Sequence, residues 1–177
     1  AIQEHRVTCE AGCSTKVRAL RDSGWNAALW PAWRTATNAA SAGVGVAARR
    51  PCGLQPHDHF VPSEWRHRIG AAWLGGVLRG GLHIITVYLF DSEGLSQRNL
   101  ELLQVVAASL RTLRGPWILC GDWNLEPAVL KTSGILEVMQ AEVAAPSLPT
   151  CNVHTYDYFV LPRSLMAAVV RVQRVEG

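Results

Sequence analysis

The sequence predicts an α+β fold: two packed, mostly antiparallel β-sheets flanked by helices. Three observations predict it. Apolar runs of strand length recur along the chain, some alternating and some continuous. One long amphipathic segment, 96–115, reads as a helix between them. The 177 residues are 49% hydrophobic and 18% charged, enough for one core, so 1–177 is read as a single domain.

The elements follow in order. "STKVRALRDSG" reads as a short helix, with Ser14 as its cap, Val17 and Leu20 on one face, and Gly24 at its end. "AGVGVAARR" (42–50) reads as a strand of small residues, and "PCGLQPHDHFVPSEW" as a loop. "HRIGAAWL" and "LHIITVYLF" read as strands joined by the glycine-rich "GGVLRGG". In "SQRNLELLQVVAASLRTLRG", Ser96 caps a helix whose stripe includes Leu100, Leu103, Ala107 and Leu110, and Gly115 and Pro116 stop it. A strand at 117–120 follows, then a polar turn. "PAVLKTSGILEVM" reads as a short helix and a turn, "TYDYFVL" as a strand, and "RSLMAAV" as a helical turn. "VVRVQRV" alternates and reads as a half-buried C-terminal strand.

Composition removes some functions. No apolar run approaches the roughly 20 residues of a membrane span. Seventeen basic against fourteen acidic side chains leave a net charge of +3, which permits nucleic acid as a partner without demanding it. Only Lys16 and Lys131 are lysines, and arginine suits bidentate phosphate contacts, although a bias of composition explains the same count. Five cysteines, an odd and scattered set, argue against a disulfide framework and favour a reducing, intracellular compartment. His5, Cys9 and Cys13 recur at helical spacing, but a fourth zinc ligand is not apparent. "LWPAWR" sets Trp30 and Trp33 beside Arg34, either as core anchors or as a contact for a partner or nucleic acid.

Polar groups collect at strand ends. "AIQEHR" carries Glu4 near the start of the chain. "ITVYLF" places Tyr88 near the end of a strand, "ILCGDWN" places Asp122 and Asn124 just past one, and "TYDYFVL" places Asp157 at the start of another. Singly, each fits a turn, a cap or a surface group. Together they offer three carboxylates, an amide and a phenol to one rim of a sandwich. That is the hard-oxygen chemistry a divalent cation and a phosphate need.

The order Gln3-Glu4, Val87-Tyr88, Gly121-Asp122-Trp123-Asn124 and Asp157-Tyr158-Phe159-Val160 resembles the endonuclease/exonuclease/phosphatase superfamily. "YDYFVLPRSL" is most similar to its abasic-endonuclease and retroelement-endonuclease branch. The resemblance implies a two-sheet sandwich and magnesium- or manganese-dependent hydrolysis of phosphoesters, with DNA or RNA as partner. It implies Glu4 as metal ligand, and Asp122 as the carboxylate that orients or deprotonates the attacking water. Asn124 corresponds to the amide that holds phosphate and nucleophile, Tyr88 to a phosphate-contacting phenol, and Asp157 to the carboxylate that orients a histidine.

The pattern also departs from the family. Members carry a strand, with an asparagine, before the glutamate strand, and a Ser-Asp-His segment at the end; neither is found in the sequence, which reads as a domain truncated at both ends. Of His5, His57, His59, His67, His83 and His154, His154 lies near Asp157 but not where the family places its histidine, and His57 and His59 sit in the loop "QPHDHF", within reach of a rim. Three readings follow: a metal-dependent nuclease or phosphodiesterase, a silent family descendant serving as a structural subunit with a protein partner, and a small-molecule phosphatase.

Overall fold

The computed structural model describes residues 1–174. It begins with helix α1 (Glu10–Asp22) and strands β1 (Trp25–Trp30), β2 (Trp33–Arg34), β3 (Ala40–Ser41), β4 (Val44–Arg49) and β5 (Gln55–Pro56). Strands β6 (Ile69–Leu74) and β7 (Leu82–Tyr88) lead to helix α2 (Gln97–Leu110) and strand β8 (Trp117–Asp122). Helices α3 (Pro127–Thr132) and α4 (Ile135–Met139), strands β9 (Ala141–Ala144) and β10 (Asp157–Pro162) and helix α5 (Arg163–Met166) complete the order.

The central sheet has six strands in the order β5-β6-β7-β8-β10-β9. Every pairing in it is antiparallel except β7 with β8. That one parallel pair needs a crossover, and α2 supplies it. A second layer is the antiparallel pair of β1 and β4, and β2 with β3 forms a small hairpin. The sandwich of two unequal, mostly antiparallel sheets flanked by helices is therefore the fold class that the sequence predicts.

Alternation along β7 builds two cores, because successive side chains of a strand point to opposite faces. Ile85, Val87 and Leu89 face the helices and pack with Leu102, Leu103, Val106 and Leu110 of α2. Ile84 and Tyr88 face the second sheet and pack with Trp30, Val44, Val46 and Ala72. The side-chain oxygen of Ser96 accepts from Asn99 N and caps α2 as expected. The buried stripe of that helix includes Leu102 and Val106, while Leu100 stays half-exposed.

Three local expectations need correction, and strands β1 and β9 are not among the expected elements. Helix α2 ends at Leu110, short of the Gly115-Pro116 stop. Helix α1 begins at Glu10, not after Ser14; the Cys9 thiol accepts from Gly12 N and caps it, so sulfur stands where a hydroxyl is usual. The pairs β1/β4 and β9/β10 recruit alanine-rich segments of weak strand propensity, which pairing and burial override. The strand read from "VVRVQRV" does not form over residues 169–174, and Val175 lies outside the described residues. Val170 is 98% exposed, and Val172 and Arg174 line a cavity with Cys120 and Phe159 over the face of β8 and β10.

Candidate active site

The site grows from the way β8 ends. Gly121 is the last small residue of the strand, and a Cβ there would lie 2.8 Å from Trp123 Nε1 and 3.1 Å from Val87 O. Trp123 is fully buried and anchors the turn. Its backbone N donates to Tyr156 O (2.8 Å), its Nε1 donates to Tyr158 O (3.0 Å), and its ring stacks on Tyr158 at 5.1 Å and 7°. The Tyr158 hydroxyl donates to Leu125 O at 3.1 Å. Asn124 then adopts a left-handed φ of 44°. Its backbone N donates to Asp122 Oδ1 (3.2 Å) and its Nδ2 donates to Leu89 O (3.1 Å). A buried tryptophan between two polar residues thus holds both polar side chains at the strand end.

Sheet register assembles the rest. Tyr88 pairs with Asp122 across the parallel ladder, and Asp157 pairs with Asp122 across the antiparallel one. Trp117 and Leu119 of β8 and Tyr158 and Val160 of β10 face the helices. Asp122 and Asp157, being out of phase with them, face the other way, on the side of Tyr88. The three side chains form one row across three adjacent strands. Thr150 Oγ1 accepts from Asp157 N at 3.0 Å and fixes the start of β10.

Glu4 approaches from the second layer. Ile2 bridges to Gly45, and His5 N and Arg6 N donate to Gly43 O and Ala42 O. Gln3 Nε2 donates to Thr86 Oγ1 at 3.0 Å, two residues before Tyr88 on the same face. The Glu4 backbone is left-handed, with φ of 55°. Its carboxylate accepts from Arg6 Nε (3.2 Å) and pairs with Arg6 Nη2.

The charges are unbalanced. Burial pushes the Asp122 carboxyl up to about 6, and the negative charges of Asp157, Glu4 and Asp91 add to that. Burial likewise raises the Tyr88 phenol, helped by Glu4 and Asp122, while Arg68 opposes the rise. The phenol stays protonated at neutral pH. Among the described residues, no three His, Cys, Asp or Glu side chains meet as a metal cage. Magnesium, however, needs only one or two carboxylates and keeps several waters. A half-buried carboxyl raised by desolvation first and by neighbouring carboxylates second is one that a hard cation relieves, and these oxygen donors are of the kind such a cation takes.

Several contributors are not visible in the sequence reading. Asp91 adds charge from the loop after β7. The buried Asn99 holds that loop: its Oδ1 accepts from Phe90 N (2.8 Å), and its Nδ2 donates to Phe90 O (3.1 Å) and Gly94 O (2.8 Å). Arg68, 5% exposed, donates from Nη1 to Tyr88 O (3.2 Å) and Leu89 O (3.3 Å). The polar run "FDSEG" after a strand was the available signal for the loop. Nothing local marks Arg68, which lies on the flank of a strand.

The histidines divide. His57 and His83 meet at 2.9 Å beside the start of β7, the end of the sheet opposite Tyr88. The loop "QPHDHF" therefore serves the far rim. His154 contacts Glu126 Oε1 at 2.9 Å and stacks on Tyr156. Among the described residues no histidine hydrogen-bonds to Asp157. His5 spends its ring on Trp30 O and Val44 O, and all five cysteines are free.

No family model and no curated protein matches this chain. Solved structures do. The AP endonuclease LMAP from Leishmania major is similar with a TM-score of 0.61 at 14% identity, covering 96% of this chain and 71% of that one. An endonuclease/exonuclease/phosphatase family protein from Bacteroides thetaiotaomicron gives a TM-score of 0.50 at 10% identity, covering 86% of this chain and 66% of that one. The chain has the endonuclease/exonuclease/phosphatase fold. The human Nocturnin catalytic domain with bound sulfate anion is similar with a TM-score of 0.57 at 19% identity, covering 84% of this chain. The chain spans 64% of the length of that domain. Within the endonuclease/exonuclease/phosphatase fold, Tyr88, Asp122, Asn124 and Asp157 all sit at one rim of the central sheet.

Proposed function

We propose that the protein is a divalent-metal-dependent phosphodiester hydrolase that acts on nucleic acid. The observation that carries this reading is the in-register row of Tyr88, Asp122 and Asp157, with Asn124 fixed beside it. The fold, shared with a structure described as an AP endonuclease, supports the same chemistry.

Asp122 accepts a proton from the attacking water. Its raised proton affinity makes it a stronger base than an ordinary aspartate, yet it remains mostly ionised at neutral pH. Tyr88, kept protonated, donates to a non-bridging phosphate oxygen. Asn124 commits one amide hydrogen to Leu89 O, which leaves its second hydrogen and its carbonyl oxygen for phosphate and water. As the water oxygen bonds to phosphorus, the bond to the leaving oxygen breaks, and that oxygen takes up a proton from solvent. Glu4, released from Arg6, would hold the cation, and Asp122 would stay free to act as the base. When bound, magnesium or manganese offsets phosphate charge and polarises the phosphoryl oxygen.

Hydrolysis of bis(p-nitrophenyl) phosphate with magnesium and with EDTA tests the reading. Turnover in magnesium that EDTA abolishes is expected, and no turnover above the buffer blank contradicts it. One observation favours a second reading, a silent structural subunit: the Glu4 carboxylate is engaged in an exposed ion pair with Arg6 and not held for a cation. In that case neither metal restores hydrolysis to Arg6→Ala.

A further inference from the structure

A groove of about 630 Å³ lies beside the site, between the β2–β3 hairpin and the start of α2. Trp33, Trp65, His67 and Phe90 give it an aromatic lining, and Arg68 gives it charge, while Arg98 is paired with Glu93 at 2.9 Å. Two properties set it apart from an ordinary surface cleft.

The first is Trp33. It is 60% exposed, although indole is among the costliest surfaces to leave in water. Its neighbour His67 lies tilted, with ring centroids 5.8 Å apart and planes at 41°, and among the described residues no ring stacks flat on the indole. Phe90, by contrast, is already engaged by two guanidiniums, with Arg68 at 3.6 Å and Arg98 at 3.7 Å from its centroid.

The second is Arg68. It is 5% exposed and makes no ion pair among the described residues. Its η nitrogens reach two carbonyls and the Ser41 hydroxyl, and its buried Nε has no partner. Buried guanidinium groups are ordinarily paired. The two carboxylates lining the groove, Glu64 and Glu101, are solvent-exposed and therefore screened. Arg68 also touches the site directly, 5.1 Å from the centroid of the Tyr88 ring.

We infer that this groove binds an unpaired stretch of nucleic acid flanking the scissile phosphodiester, with a base stacked on Trp33 and the backbone drawn toward Arg68. A free indole face stacks any unstacked base, and a cation without a direct ion pair attracts its phosphate. Duplex bases already stack on one another and cannot use the indole. This inference rests on the nucleic-acid reading of the site, and its substrate is the single strand.

The test uses the 177-residue chain carrying Asp122→Asn, in EDTA, so that binding is read without cleavage. Fluorescence anisotropy follows a short fluorescein-labelled oligodeoxythymidylate. Trp33→Ala is expected to weaken binding about tenfold, and Trp33→Phe less than about threefold. Unchanged affinity in Trp33→Ala overturns the inference, and so does an absence of binding in the Asp122→Asn parent. An equal loss on a duplex of the same length overturns the claim for unpaired strands. Hydrolysis of bis(p-nitrophenyl) phosphate by the unaltered chain is a separate readout. If it fails while Trp33-dependent binding holds, the hydrolase reading falls and the groove stands.

Discussion

Asp122 pairs with Tyr88 on one side and with Asp157 on the other, so one residue at the end of β8 joins three strands into one row. The row is a consequence of register. A slip of one residue in either ladder would turn a neighbour to the opposite face.

The position of Asp122 gives a stability prediction. Its folded carboxyl titrates near 6 against an ordinary value of 3.8. The native state thus holds the proton more tightly than the unfolded chain. Its stabilising share is complete below the ordinary value and is lost as pH rises through about 6. In EDTA at pH 7.5, Asp122→Asn is expected to stabilise the fold by on the order of 1–2 kcal/mol while losing hydrolysis. Denaturant melts at acid and neutral pH check the slope; an unchanged slope in the variant contradicts the assignment.

His67 gives the opposite sign. Burial, with the charge of Arg68 second, lowers it from 6.5 to about 4. The unfolded chain therefore takes up a proton first. The contribution is present above 6.5 and disappears as pH falls toward 4, a loss on the order of 2 kcal/mol. His67→Phe should flatten stability over that range, read by thermal melts at pH 7 and pH 4.5.

Tyr88→Phe keeps the ring in the core between the sheets and removes only the hydroxyl. Activity is expected to fall by about 10- to 100-fold in kcat with little change in melting temperature. Steady-state kinetics against a phosphodiester substrate separate this from a packing defect, which would move the melting temperature as well.

Gly121→Ala is expected to destabilise the protein by about 1–3 kcal/mol, because the added methyl meets the Trp123 indole and Val87 O. Wild-type stability in this variant would show that the tryptophan anchor yields easily.

Much of this was legible in the sequence, for definite reasons. The apolar run "LHIITVYLF" and the one before Gly121-Asp122 placed both strands whose ends carry Tyr88 and Asp122. The Ser96 cap marked the start of α2, which ends at Leu110, short of the predicted Gly115-Pro116 stop, and whose crossover makes those two strands parallel. What escaped depends on tertiary context. Cys9 caps α1 although cysteine is a weak capping signal. Alanine-rich β1 and β9 exist because partners cover them. "VVRVQRV" alternates without pairing over its described residues. Arg68 and Asn99 act through backbone carbonyls of distant or looped segments, which no local motif announces. The arrangement of "PWILCGDWNLEP" combines both demands: a turn that satisfies itself around Trp123, and a site that the turn holds in place.

The central claim is that the row at the rim hydrolyses phosphodiesters in nucleic acid with Asp122 as the base. Its most direct test is cleavage of an end-labelled oligonucleotide by the unaltered chain and by Asp122→Asn, each in magnesium and in EDTA. Magnesium-dependent cleavage by the unaltered chain, reduced at least about a thousandfold in Asp122→Asn, is the expected result. Cleavage that proceeds equally in the variant, or none by either protein, would contradict the claim.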